Sequence, residues 1–146
     1  MSIPNDHKYL RNVGSTKILD SGKVDGSAFR RNAKDVDGVS GNWPNYFSEL
    51  TLHEALREIR KAFAAKGRKI PTKSKFAQLP IGKTKSDILA KANRTLDFLH
   101  AKEDLDPSHA IIVGYTLEDE VIADLIAQAV EALWPGREEA TPTAQN

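Results

Sequence analysis

Apolar residues recur at helical spacing in three stretches of the chain. Leu52, Leu56, Ile59 and Phe63 form one stripe and predict a helix over 52–66. Thr51 and Glu54 stand in the capping-box spacing at its start, and Gly67 follows as a stop. Ile88, Leu89, Ala92, Leu96 and Leu99 predict a second helix over 87–102, behind a Ser86 cap, with Lys102 at the negative end of its dipole. The third begins at a Thr116 cap, places Glu118, Asp119 and Glu120 in the first turn, and repeats Ile122, Leu125, Ile126, Ala129 and Leu133. Pro135-Gly136 ends it.

Strand signals are shorter. Residues 110–115 are apolar at consecutive positions and rich in β-branched side chains, which predicts a central strand buried on both faces. Residues 75–79 form a second candidate, stopped or held at a sheet edge by Pro80. Residues 9–13, 28–31 and 36–43 supply three more, separated by glycines. The order β-β-β-α-β-α-β-α predicts a single compact α+β domain over 1–136, with a mixed sheet of four to five strands and three helices. A small α/β layer built from the second half is the alternative. Residues 137–146 read as a solvated C-terminal tail.

The length of 146 residues suits one domain with its own core, and the lack of cysteine excludes disulfide scaffolds, thiolate metal sites and thiol nucleophiles. The N-terminal stretch has no apolar signal region, and no apolar run is long enough to span a bilayer. Together these predict a soluble cytoplasmic protein with no membrane contact.

Charge is more informative by segment than in total. The formal net charge is +1, yet residues 57–91 carry eleven basic and two acidic side chains, and residues 97–146 carry two basic and eleven acidic. The basic stretch 57–85 predicts an anionic partner, a phosphate-bearing ligand or nucleic acid. Its candidate contacts are Arg57, Arg60, Lys61, Lys66, Arg68, Lys69, Lys73, Lys75 and Lys83. The competing expectation is that the acidic C-terminal segment folds against these cations and neutralises them.

Among motifs, residues 77–84 (AQLPIGKT) satisfy a loose phosphate-loop pattern between a strand and a helix. Ala77 in place of the first glycine, Pro80 and the lack of a later strand ending in Asp argue against a triphosphate site. An anion held at Gly82-Lys83-Thr84 is the more modest expectation. His7, His53, His100 and His109 show no metal-ligand spacing, and neither metal nor cofactor is expected. His109, at the mouth of the buried 110–115 strand, is the best single candidate for a general base. Trp43 and Tyr46 lie in a turn-rich segment and predict either a lid on the core or an aromatic surface for a protein partner or a stacked base. The sequon at Asn93 falls inside a predicted helix and is set aside.

Tyr9-Leu10-Arg11, Phe29-Arg30-Arg31-Asn32, Gly38-Val39-Ser40 and a helix carrying Glu54 are similar in order to the N-terminal half of small ADP-ribosyltransferase-like toxins of the RES type. The resemblance covers about residues 8–60. It implies an NAD-handling enzyme with Arg11, Arg31 and Glu54 in the cofactor cleft. Ala28 stands where that family has glycine, and the second half of the chain carries no matching motif. Read from the residues themselves, the leading expectation is a small binding or accessory module without catalysis of its own. NAD-dependent ADP-ribosyl transfer and a purely structural subunit of a larger assembly are the alternatives.

Overall fold

The alternation of side chains along the first strand, β1 (Lys8–Val13), divides the core in two. Tyr9 and Val13 enter one apolar cluster and Leu10 enters another on the opposite face. In the computed structural model, which describes residues 1–32 and 37–138, β1 lies inside a six-stranded sheet. The other strands are β2 (Val39–Asn42), β3 (Lys75–Pro80), β4 (Asp97–His100), β5 (His109–Val113) and β6 (Ala132–Pro135). Their order is β4-β5-β2-β1-β3-β6, and every neighbouring pair is antiparallel.

The chain is thus a single compact α+β domain with three helices. The sheet has six strands where four to five were expected, it is not mixed, and the layered α/β alternative is not adopted. Helix α1 (Leu52–Ala65) packs Leu56, Ile59 and Phe63 against Leu10 and Phe76 on one face. Helices α2 (Ile81–Ala92) and α3 (Glu120–Gln128) cover the other, with Ile81, Ile88, Ile122 and Ile126 in the larger cluster around Tyr9, Phe29, Phe98 and Ile112. Each fully buried side chain of this size contributes roughly 1.5–3 kcal/mol.

Four expectations change on folding. The helix expected over 87–102 is two elements. Asn93, at φ 52°, takes the left-handed conformation and ends α2, so Leu96 and Phe98 are buried in and beside β4 instead. That helix also starts earlier, because His7 O and Asn5 O accept the Ile81 and Gly82 N–H groups while the Thr84 hydroxyl bonds Pro80 O. Ser86 is therefore inside α2, and Leu89 is 53% exposed.

The third helix stops at Gln128, and Leu133 belongs to β6, paired with Ala77. Residues 28–31 form no strand. A short 3-10 turn (Gly26–Phe29) buries Ala28 and Phe29 beneath α3, with Asp25 accepting the Ser27 N–H. The 36–43 expectation shortens to β2, and Val36 lies outside the described residues. Finally, β5 lies between β4 and β2 with Ala110, Ile111 and Ile112 buried, close to expectation.

One sheet edge is paired and the other is capped at its end. Residues 1–3 run along β4, with Ile3 N donating to Phe98 O and His100 N to Met1 O. At the other edge Pro135 offers no N–H, and Arg60 donates to the Pro135 and Gly136 carbonyls. Beyond β6, Arg137 Nε donates to Ile70 O and Glu138 pairs with Arg57, so these two residues of the expected tail touch the body. Residues 139–146 lie outside the described set. Among the described residues no helix is long and apolar enough to cross a membrane.

Candidate anion-binding surface

The end of α1 determines where its cations go. Lys66 caps the helix, Gly67 turns the chain at φ 72°, and the backbone closes with Gly67 N donating to Ala64 O and Arg68 N to Phe63 O. This turn folds Arg68 back over the helix. Its guanidinium carbon lies 4.9 Å and Lys66 Nζ 5.5 Å from the centre of the Phe63 ring. Arg68 is exposed and borders two recesses.

The first recess, of about 40 Å³, opens beside the seam where β1 and β2 meet at the Leu10–Asn42 register pair. Lys66, Arg68, Asp106 and His109 contribute to its walls. Asp106, Ser108 and Asn42 are all at least 98% buried. Asn42 Nδ2 donates to Asp106 Oδ1 at 2.9 Å and to Ser108 Oγ at 3.0 Å, while Lys66 Nζ lies 2.7 Å from Asp106 Oδ2 and 3.1 Å from Glu103 Oε1. His109 Nδ1 is 2.9 Å from the Ala101 carbonyl, which requires the proton on Nδ1, and its Nε2 is 3.9 Å from Glu103. The network ties the 101–108 loop to β2 and α1. Ser108 is sealed from solvent, so His109 and Ser108 do not form a nucleophile–base pair.

The second recess, of about 290 Å³, is bordered by Arg60, Arg68, Lys69, Ile70, Arg137 and Glu138. Arg60 Nε and Nη2 hold the end of β6 through Gly136 O and Pro135 O, and its buried Nη1 has no acceptor among the described residues. Burial pulls the Arg60 guanidinium below its ordinary value, with Glu138 opposing and Arg57 adding to the shift.

Sequence-selected residues divide accordingly. Lys66, Arg68 and His109 meet at the first recess, which Arg11 borders while its guanidinium is held elsewhere by Ala28 O and Ser40 O; Arg60, Arg68 and Lys69 meet at the second. Arg57 is paired with Glu138 at 2.7 Å, Lys61 with Glu58 at 2.9 Å and Lys83 with Asp87 at 2.7 Å. Lys69 and Lys73 are exposed and form no ion pair among the described residues. Lys75 lies on the sheet face shared by Ala77 and Leu79, away from α1.

The phosphate-loop pattern contains no loop. β3 runs to Pro80 and α2 begins at the next residue, with its first N–H groups already accepted by the chain. At Gly82-Lys83-Thr84 the Gly82 N–H is thus engaged by Asn5 O, the Thr84 hydroxyl by Pro80 O and Lys83 Nζ by Asp87.

Trp43 and Tyr46 border neither recess. Trp43 Nε1 donates to His7 Nδ1 at 3.0 Å, and its ring meets His100 edge-on at 5.1 Å and Tyr46 at 5.9 Å. The residues implied by the toxin resemblance are not brought together. Arg11 donates to Ala28 O and Ser40 O on the face covered by α3. Glu54 closes the capping box with Thr51 at the exposed start of α1, on the other face. There the Thr51 N–H holds its carboxyl below the ordinary value. Arg31 donates to Tyr115 O.

Sequence reasoning did not pick out Asn42, Glu103 and Asp106, nor Arg137 and Glu138. Each belongs to a polar stretch with no distinguishing periodicity. Among the described residues no group of three or more His, Asp or Glu side chains could hold a metal ion. Compared with protein-family models, curated proteins and solved structures, the chain matches none of them.

Proposed function

We propose that this domain is a binding module without catalysis of its own, and that its partner presents phosphates to the surface carried by the end of α1 and the α1–β3 loop. Arg68, Lys69, Lys73 and Arg137 make the contacts; Lys66 is a scaffold residue. The observation that supports this most is the placement of Arg68 over Phe63, between the two recesses, with Lys69 on the rim of the second and in no ion pair among the described residues. A guanidinium already held over an aromatic ring loses little rotamer freedom when its outer edge meets a phosphate. A row of such contacts reads charge rather than base edges, so the reading is of a sequence-tolerant partner such as a single-stranded nucleic acid.

The polar groups nearest His109 already satisfy one another, and Ser108 is out of reach. The test is fluorescence anisotropy with a labelled mixed-sequence single-stranded oligonucleotide at low salt. Arg68→Glu with Lys69→Glu should abolish binding and lower the thermal midpoint by no more than a few degrees, the loss of the Arg68–Phe63 contact. Equal binding by this variant would overturn the proposed surface. No affinity in the unaltered protein would instead favour the structural-subunit reading, in which the charges serve internal pairing.

A further inference from the structure

Glu138 already occupies an anion position on this surface. Its carboxylate borders the recess of Arg60, Arg68, Lys69 and Arg137, and its Oε1 lies 2.7 Å from Arg57 Nε. Arg57 sits one helical turn before Arg60 on α1, and Glu138, paired with Arg57, shares its recess with Arg60 and acts on that guanidinium through its charge. Both partners of the pair are open to water, with Arg57 52% and Glu138 44% exposed. A pair this exposed is held loosely and yields readily to a competing anion. The residue also follows directly on Arg137, whose Nε is fixed to Ile70 O, so the chain delivers the carboxylate to a set place.

From this geometry we infer that Glu138 is a built-in competitor for the partner's phosphate: its carboxylate holds Arg57 and screens Arg60 until a phosphate group displaces it. The inference rests on the binding reading above and adds its regulation. A phosphate offers more acceptor oxygens than a carboxylate, and guanidinium forks donate to it in two-point contacts. The displaced carboxylate then swings to solvent, and any condition that neutralises it raises affinity.

The experiment compares the full chain with E138Q, using the same labelled single-stranded oligonucleotide at low salt. Asp20→Asn serves as control, since it removes one negative charge from an exposed loop that borders neither recess. An exposed pair of this type corresponds to a gain of about two- to five-fold in affinity for E138Q, with the control unchanged. In the unaltered protein, the Arg57 Nε–H resonance should move on oligonucleotide addition and reach the same bound position as in oligonucleotide-saturated E138Q. Equal affinity of E138Q and the unaltered chain, while both bind, overturns the competitor role and leaves the binding surface standing. An equal gain in Asp20→Asn overturns it too, by reducing the effect to net charge. No binding by any of the three removes the competitor and the binding reading together.

Discussion

Replacing Lys66 by Met isolates the contact that fixes the candidate surface to the sheet. Met keeps the apolar stem beside Phe63 and removes only the ammonium group. Asp106 has no exposed surface, and besides Asn42 its side chain is met by Lys66 at 2.7 Å. Breaking a buried pair from one side leaves an uncompensated charge and costs about 3–5 kcal/mol. The lysine side chain retains 16% exposure, which lets water reach the site and places the loss near the lower end, about 3 kcal/mol. Against a total stability of about 5–15 kcal/mol that is a large fraction.

In urea unfolding, with a slope of about 2 kcal/mol per molar, the midpoint should fall by roughly 1.5 M. The reverse change, Asp106→Asn, should cost less, because Lys66 keeps Glu103 and solvent. The double variant should recover part of the loss seen in Lys66→Met, since no lone buried carboxylate remains. A loss below about 1 kcal/mol for Lys66→Met, or strict additivity in the double variant, would refute the claim that this pair pins the 101–108 loop.

Three further outcomes follow from the packing and the charges. Ile112→Ala, in a strand flanked by β4 and β2 and wholly buried, should cost about 2–5 kcal/mol by chemical denaturation; a cost under 1 kcal/mol would mean that the site collapses freely. Asn93→Ala should destabilise by about 1 kcal/mol, because the left-handed conformation at φ 52° strains a Cβ without an Asn side chain, whereas Asn93→Gly should be neutral or better in the same assay. Burial pushes the Glu131 carboxyl up, but hydrogen bonds and charge from Lys8, together with Gln78, outweigh it and hold the group below its ordinary value. Its stabilising contribution is therefore complete above the ordinary carboxylate value and lost as pH falls through the lowered one, so thermal midpoints should drop less steeply on acidification in Glu131→Gln.

How far the sequence carries depends on whether a signal is local. Helix α1 is legible from cap to stop, since Thr51, Glu54, the apolar stripe and Gly67 act within one element. β4 and β6 are not, because Leu96, Leu99 and Leu133 fit a helical repeat as well as an alternating one. What decides them is pairing with β5 and β3, which the local pattern does not contain, and the left-handed turn at Asn93. The surface divides in the same way. Its basic character is visible in residues 57–85, but which cations are already engaged depends on acids far along the chain. Lys66 meets Asp106 across 40 positions and Arg57 meets Glu138 across 81. The buried Asn42–Asp106–Ser108 network is likewise assembled only by the β2–β5 pairing.

The central claim is that the end of α1 and the loop after it bind phosphates, and the salt dependence of oligonucleotide binding tests it most directly. Three to four contacts from Arg68, Lys69, Lys73 and Arg137 on a single strand predict that log K falls against log salt with a slope of about −2 to −3. The slope should weaken by roughly 0.7 for each of these residues changed to alanine. No measurable affinity at low salt, or binding that does not respond to salt, would contradict the account.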